Sequence, residues 1–312
     1  MLVRWLTNSG AALSDFLFSD ELARGLRATA SEPRPLYELV VPHRPIHDDL
    51  AVVPDEAEFV ATRGSAKHLE RLATLPRLEV VWAHALTPEL LEVLARMSHL
   101  RALYLYKAGK VDLSPLGEST SIEHLLVSWA NHLRDLSWLG RLPRLRTLYL
   151  DDMKSLDLAT LPELPGLEAL HVSGGMTSAL KVSSLGPLAR LRNLRHLTLS
   201  NVRPRDGSLA PLHALTGLRE LLLPNFFKIE ECAHLAAALP ETSGRVLTPF
   251  FTEPTKPAVG APAFPCANCG GSRVMLTGRP GALLCPTCDA ARIAKRVARW
   301  EAARSAFAPR VP

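Results

Sequence analysis

Apolar residues in the middle of the chain recur in a six-residue pattern, apolar-x-x-apolar-x-apolar. Successive copies begin 22, 22, 23, 22, 27 and 24 residues apart, at Leu78, Leu100, Ile122, Leu145, Leu167, Leu194 and Leu218. A fixed period in this range is typical of a repeat protein in which each unit contributes one strand. Alternate strand residues point to opposite faces, so the last two apolar positions of each copy should face a shared interior. One unit cannot bury its leucines alone, and stacked units would form a parallel sheet.

A second apolar motif follows most copies and predicts where the chain returns on the convex side. It has the form Asp/Ser-Leu-x-x-Leu and begins at Asp112, Asp135, Asp157, Ser184 and Ser208. The two motifs together resemble the 22-residue bacterial leucine-rich repeats of the internalin type, over about residues 75 to 240. The resemblance implies an α/β leucine-rich-repeat solenoid with its parallel sheet on the concave side.

The sequence departs from that family at the ninth repeat position, where the family has an asparagine that satisfies backbone groups at the turn. Here the position is held by Ala108, Ala130, Met153, Gly175, Val202 and Phe226. We therefore expect irregular turns and no ordered row of asparagines.

Two descriptions fit residues 1–64. Weak copies of the pattern begin at Leu36 and Ala57, spaced 21 residues apart, and would be degenerate first repeats. Alternatively, this segment is a separate cap with a helix at Ser14–Thr29. We assign the solenoid to residues 65–244 and expect a helix at Glu230–Leu239, stopped by Pro240, to close its last coil.

Aromatic residues and histidines are concentrated at the strand positions predicted to face outward on the concave side, although only 6% of the chain is aromatic. Tryptophan and tyrosine are favoured anchors of protein interfaces, so this face is a candidate partner-binding surface. Alternatively, a broad sheet simply accepts residues of high β propensity. The candidate residues are Trp82, His84, Tyr104, Tyr106, His124, Tyr149, Asp151, His171 and His196. The histidines lack the spacing of a metal motif, and no nucleophile motif or phosphate-binding loop is present, so no catalytic residue is predicted.

Four of the five cysteines form two Cys-x-x-Cys pairs, Cys266/Cys269 and Cys285/Cys288, separated by fifteen residues. This arrangement predicts one tetrahedral Zn²⁺ with four thiolate ligands in residues 266–289. Four protein ligands leave no open position, so the zinc would be structural. Short apolar runs between the pairs predict a β-hairpin, and the segment resembles a zinc ribbon or treble-clef knuckle. The fifth cysteine, Cys232, is expected to be a small buried residue in the closing helix.

The basic character of the chain lies in its C-terminal part. The net charge is +5, and residues 266–312 hold eight basic residues against two acidic ones. Residues 290–312 predict a basic amphipathic helix. Its cations could contact phosphates, or the helix could pack its apolar stripe on the protein and leave them in solvent. The possible phosphate contacts are Arg292, Lys295, Arg296 and Arg299. Residues 245–265 hold five prolines and predict an extended linker, which would let the zinc module move relative to the solenoid.

No apolar run approaches the roughly 20 residues that cross a bilayer, and the N-terminus lacks the apolar core of a signal peptide. We therefore expect no membrane span and a cytoplasmic location. The leading hypothesis is a non-enzymatic scaffold that binds a protein partner on the concave face. The alternative is a nucleic-acid-binding protein that acts through the zinc ribbon and the basic helix. The sequence determines neither the partner nor the oligomeric state.

Overall fold

The computed structural model of the chain describes residues 46–175, 178–252 and 265–307. Within these ranges nine strands form one sheet in which every neighbouring pair is parallel. Its strands, in order, are β1 (Ile46–Asp49), β2 (Phe59–Lys67), β3 (Val80–His84), β4 (Ala102–Tyr106), β5 (His124–Ser128), β6 (Thr147–Met153), β7 (Ala169–Gly174), β9 (His196–Ser200) and β11 (Glu220–Leu222). The predicted leucine-rich-repeat solenoid is confirmed.

The register of the sheet follows the sequence repeat. Leu103 pairs with Leu125, and Leu125 pairs with Leu148, each the second apolar position of its copy. These three side chains are almost fully buried in one continuous core. Because equivalent residues of successive units lie side by side, each leucine is packed between two others of the same kind.

The sheet begins upstream of residue 65. Val60 pairs with Val81, and Thr62 pairs with Ala83, so the weak copy that begins at Ala57 occupies a regular position in β2. The copy at Leu36 and the predicted helix at Ser14–Thr29 lie outside the described residues.

The convex side is built from short helices, at the places that the second motif predicts. Each copy of the motif starts a 3-10 helix, and these helices are Ser114–Glu118, Ser137–Arg141, Leu158–Thr160, Gly186–Arg190 and Ala210–Ala214. Asp112 shows how the motif starts a turn, because its carboxylate accepts hydrogen bonds from the backbone N–H and the hydroxyl of Ser114 at 3.0 and 2.8 Å. Two α-helices, α1 (Arg71–Thr74) and α2 (Pro88–Arg96), fill this side of the first coils.

The expectation of irregular turns is wrong for most coils. One residue at or just after the end of the strand adopts a left-handed conformation in six coils, with φ between 52° and 58°: His68, Ala85, Lys107, Trp129, Asp152 and Asn201. At the next turn position Ala108 is buried, and its backbone N–H donates to the carbonyl of Ser128 in the following coil at 3.1 Å. Main-chain hydrogen bonds between coils therefore satisfy backbone groups that an asparagine satisfies in the internalin-type repeats.

The closing helix α3 (Ile229–Ala238) confirms the helix predicted at the end of the last coil. The predicted linker is wrong over its first part. Arg245–Leu247 forms a 3-10 turn, and β12 (Phe250–Phe251) pairs with β13 (Val274–Leu276), which pairs antiparallel with β14 (Leu283–Leu284). The hairpin edge offers unpaired backbone groups, and this apolar stretch satisfies them despite its flanking prolines. Residues 253–264 lie outside the described ranges.

A second, two-stranded sheet lies beside the main one near its C-terminal end. It consists of β8 (Leu180–Val182) and β10 (Val202–Pro204), which are parallel and in register. Leu180, Val182 and Val202 are buried in the solenoid core, whereas Lys181 and Arg203 point to solvent. The two strands thus line one exposed strip of the surface.

Candidate functional site

The four predicted metal ligands lie together. The sulfur atoms of Cys266, Cys269, Cys285 and Cys288 are all within 4.8 Å of one another. The Sγ–Sγ distance is 3.8 Å between Cys266 and Cys288 and 3.5 Å between Cys269 and Cys285. A tetrahedral zinc with Zn–S bonds of about 2.3 Å requires S–S edges of about 3.8 Å. The cluster therefore has the size that a four-coordinate metal ion requires.

Each cysteine pair sits on a tight loop of its own. In the first loop Gly270 donates its N–H to the carbonyl of Cys266 at 2.8 Å, and its φ of 73° suits a residue without a side chain. In the second loop Cys285 donates its N–H to the carboxylate of Asp289 at 3.0 Å. The N–H of Cys288 lowers the pKa of the Cys285 thiol to about 6, which favours the thiolate that a metal requires.

The second pair opens the helix α4 (Ala290–Ser305), which confirms the predicted C-terminal helix. Its apolar stripe is divided between two cores. Ile293 packs with Val274, Leu276 and Leu284 in the small core of the module, whereas Trp300 is 1% exposed and belongs to the core of the solenoid. Helix α4 thus joins the module to the repeats.

Polar contacts hold the same junction, against the expectation of a freely moving module. The side chain of Asn225 donates to the carbonyl of Leu276 at 2.9 Å and accepts from the N–H of Gly278 at 2.7 Å. Within the module, Arg296 of α4 donates to the carbonyls of Thr277 and Gly278, both at 2.9 Å, and so holds the loop that Asn225 contacts. The reason is that the last coil has no following repeat, so the module satisfies its polar and apolar groups instead.

The four cations proposed as phosphate contacts have different surroundings. Arg296 binds backbone carbonyls of the hairpin in its own module, and Arg299 forms an ion pair with Glu230 of α3 at 2.5 Å. Arg292 pairs with Asp289 at 3.0 Å. Lys295 is exposed on α4, and no ion pair between described residues involves it. Two of the four therefore fasten the helix to the rest of the chain.

The central row of the predicted concave face is buried. Register places Trp82, Tyr104, Leu126, Tyr149 and His171 at the same position of successive strands. Neighbouring strands lie about 4.8 Å apart, so each large side chain covers the flank of the next. Tyr104 is only 1% exposed, and burial raises its pKa. Alternation along the strand predicted the direction of these residues but not their burial.

Accessible aromatic groups lie instead where the early strands end. His84, Tyr106, Lys107 and Trp129 form what we call the rim cluster. The ring centroids of His84 and Tyr106 are 5.4 Å apart, and those of Tyr106 and Trp129 are 5.7 Å apart. The ammonium of Lys107 lies 5.4 Å from the ring centroid of Trp129. The repeat pattern does not identify Lys107 and Trp129 because they are turn residues, although each directly follows a predicted strand.

Acidic and hydroxyl groups border the rim cluster. The hydroxyl of Ser173 donates to the Asp151 carboxylate at 2.6 Å, and the Nε2 atom of His171 lies 3.8 Å from it. Burial acts to raise the pKa of Asp151, but His171 and Ser173 outweigh it, and the pKa is lowered. Asp151 is therefore an anion at neutral pH.

The remaining histidines form no centre with one another. The Nδ1 atom of His196 lies 3.5 Å from a carboxylate oxygen of Glu220. His124 is partly buried, which lowers its pKa to about 4. Within the described ranges, the four cysteines are the only group of three or more His, Cys, Asp or Glu side chains whose ligand atoms lie close enough together to hold a metal ion. Cys232 is fully buried in α3, as predicted, and burial raises its pKa to about 12.

Comparison with known proteins finds structural similarity alone. No protein-family model matches the sequence, and no curated protein matches it. Internalin C2 from Listeria monocytogenes is 22% identical over 74% of this chain and 84% of its own, with a TM-score of 0.39. A leucine-rich-repeat protein from Leptospira interrogans is 18% identical over 56% and 50%, with a TM-score of 0.41. The plant peptide hormone receptor RGFR1, solved in complex with RGF2, is 17% identical over 62% and 33%, with a TM-score of 0.43.

The class of the protein rests on its own repeats and sheet. The chain is a leucine-rich-repeat protein that carries a four-cysteine module at the end of the solenoid. Among the described helices, none combines the length and the apolar character needed to cross a bilayer.

Proposed function

We propose that this protein is a non-enzymatic scaffold that binds a partner protein on the concave side of its solenoid, at the rim cluster and the adjoining Asp151. We further propose that Cys266, Cys269, Cys285 and Cys288 hold one structural Zn²⁺. When bound, the ion supplies cross-linking rather than chemistry, because four thiolates complete its tetrahedral shell.

The observation that carries the binding role is the state of Trp129. This side chain is 41% exposed, one of the largest exposed apolar groups in the described residues. Its left-handed backbone, with a φ of 58°, is the conformation that the turns of several coils share, and it places the indole at the same edge of the sheet as its neighbours. An exposed tryptophan beside other aromatic rings suits a surface that contacts a partner.

The composition of the rim cluster suits a protein partner. The neighbouring rings of Tyr106 and Trp129 present a large, rigid area at low cost in conformational entropy, and such residues dominate interface energetics. Lys107 and the ionised Asp151 provide charges of both signs beside this area. Tyr104 and Tyr149 are buried and therefore offer a partner little accessible surface.

The experiment that tests this function uses the full chain as bait, with Tyr106→Ala/Trp129→Ala as the test variant. Both side chains are accessible, so this variant should keep the fold while losing at least tenfold in affinity for any partner recovered by the wild type. Val52→Ala is the matched control, because Val52 is 72% exposed and distant in sequence from the cluster. Unchanged binding by the double variant would show that the partner site lies elsewhere.

A further inference from the structure

Four cations lie in a row on the exposed strip beside the main sheet. Lys181 of β8 is the register partner of Arg203 of β10. One coil further, Lys228 forms a parallel bridge with Arg279 of the four-cysteine module. All four side chains are exposed. We call Lys181, Arg203, Lys228 and Arg279 the cation row.

The aromatic ring of Phe226 connects the two pairs of the cation row. The guanidinium carbon of Arg203 lies 5.0 Å from the centroid of this ring, and that of Arg279 lies 5.6 Å from the same centroid. Contacts of this kind hold a guanidinium in place while its N–H groups stay available. Two of the four charges are therefore fixed next to each other before any ligand arrives.

The cation row lacks compensating acids within the described ranges. None of the ion pairs there involves any of its four members. Like charges at directly opposite positions of neighbouring strands destabilise a sheet. In the main sheet, by contrast, cations have acidic partners, since Arg101 binds Glu123 and Arg146 binds Glu168 across neighbouring coils. The cation row thus keeps its charge repulsion, whereas acidic partners neutralise the cations of the main sheet.

We propose that the cation row is a binding site for the phosphate backbone of single-stranded nucleic acid. Paired strands are about 4.8 Å apart, so each of the two pairs places two positive charges one strand step apart, and the Phe226 ring lies between the pairs. A chain of regularly spaced phosphates matches such a row, and proteins that bind single strands without sequence preference use positively charged tracks beside aromatic rings. The site spans the repeats and the module, and it differs from the cations of α4 considered above.

This proposal is independent of the protein partner proposed for the rim cluster. The cation row lies beside β8 and β10, at the C-terminal end of the solenoid, whereas the rim cluster belongs to β3, β4 and β5. A variant of the row should leave partner binding unchanged, and a variant of the rim cluster should leave nucleic-acid binding unchanged. Failure of one proposal is therefore distinguishable from failure of the other.

The test measures binding of a fluorescent oligothymidylate of about 16 nucleotides to the full chain over a range of salt concentrations. For single strands, log K changes with log salt by about −0.7 per phosphate neutralised, so four contacts predict a slope of about −2.8. Lys181→Gln/Arg203→Gln should reduce the magnitude of that slope by about 1.4 and weaken binding roughly 25-fold at 0.1 M salt.

The matched control is Arg292→Gln/Lys295→Gln, which removes the same charge from exposed positions of α4. It should bind like the wild type. Equal losses in both variants, or a loss in the control alone, would overturn the proposal in favour of net charge or of the helix. Absence of binding by the wild type at low salt would also overturn it. So would displacement of the oligonucleotide by polyglutamate at equal charge concentration, which would assign the row to an acidic protein.

Discussion

The repeats and the four-cysteine module achieve stability in different ways. In the repeats, a leucine such as Leu125 lies between Leu103 and Leu148, and the same contact recurs in coil after coil. The module has a small apolar core of its own, centred on Val274 and Ile293. A core of this size rarely supports a fold without a metal or a neighbour. The module has a neighbour, since Trp300 is buried in the solenoid core, and it has four converging sulfurs that could hold a metal ion.

The comparison shows where single residues matter. A solenoid distributes its stability over many similar interfaces, so the loss of one side chain is shared by the neighbouring coils. The module depends on a few contacts that occur once. The module also covers the last coil, whose apolar residues have no further repeat to pack against.

The largest effect is expected for Cys285→Ser, which removes a buried ligand from the metal cluster. Structural zinc contributes about 10–16 kcal/mol in small modules, so the variant should lose its zinc and the order of the module. Metal analysis should fall from one ion per chain to none, and proteolysis should cut within 265–307 while the sheet persists. Cys232→Ala is the control and should retain its zinc. Full zinc content in the Cys285 variant would refute the ligand assignment.

Trp300→Ala should have the next largest effect, because it removes the main apolar contact between α4 and the solenoid. Loss of a buried aromatic side chain costs about 3–5 kcal/mol. We expect the free energy of unfolding to fall by that amount, which lowers the urea midpoint, with zinc retained because the ligands are unchanged. Trp300→Phe should recover part of the loss. If the alanine variant unfolds like the wild type, the module does not contribute to the stability of the last coil.

A smaller effect concerns pH and lies in the repeats. Burial lowers the pKa of His124 to about 4, and nearby Arg101 and Arg146 act in the same direction while Glu123 opposes them. The unfolded chain binds this proton near pH 6.5, so stability is complete above that pH and is lost as the pH falls toward 4. We expect a loss of about 1–2 kcal/mol at pH 5, less than full burial would give because the ring is partly exposed.

The variant His124→Asn isolates the contribution of His124 to the pH dependence of stability. Burial also lowers the pKa values of His84 and His213, so the wild type has a further acid sensitivity that the variant keeps. The difference in urea midpoint between pH 7 and pH 5 should therefore shrink in the variant without vanishing. An identical pH dependence in both proteins would mean that His124 is accessible to solvent in the folded state.

The same contrast explains what the sequence could predict. The repeats can be recognised by their period, which also predicts the strands, the convex turns and α3. The cysteine spacing likewise predicts a cluster that the structure brings together. These features depend on residues that are near in sequence or that recur at a fixed interval, so a pattern along one chain is sufficient to find them.

Features that depend on a single distant contact were not predictable. Asn225 binds backbone atoms more than fifty residues away, and no local signal marks it. Phe250 and Phe251 join the hairpin because an open edge is near in space, although prolines around them suggest a linker. Alternation placed Tyr104 on the concave side, but only the packing of its neighbours shows that it is buried. Trp129 was missed because strand patterns do not extend to turn residues.

The smallest effect is expected at the ion pair between Arg299 and Glu230, which joins α4 to α3. Both side chains are substantially exposed, with 57% and 39% of their surfaces accessible. Exposed pairs contribute about 0.2–1 kcal/mol, because water and salt screen them. A double-mutant cycle with Arg299→Gln and Glu230→Gln should give a coupling energy in this range that falls further in 1 M salt. A coupling above about 2 kcal/mol would mean that charge rather than burial of Trp300 holds the module, since exposed pairs do not reach that value.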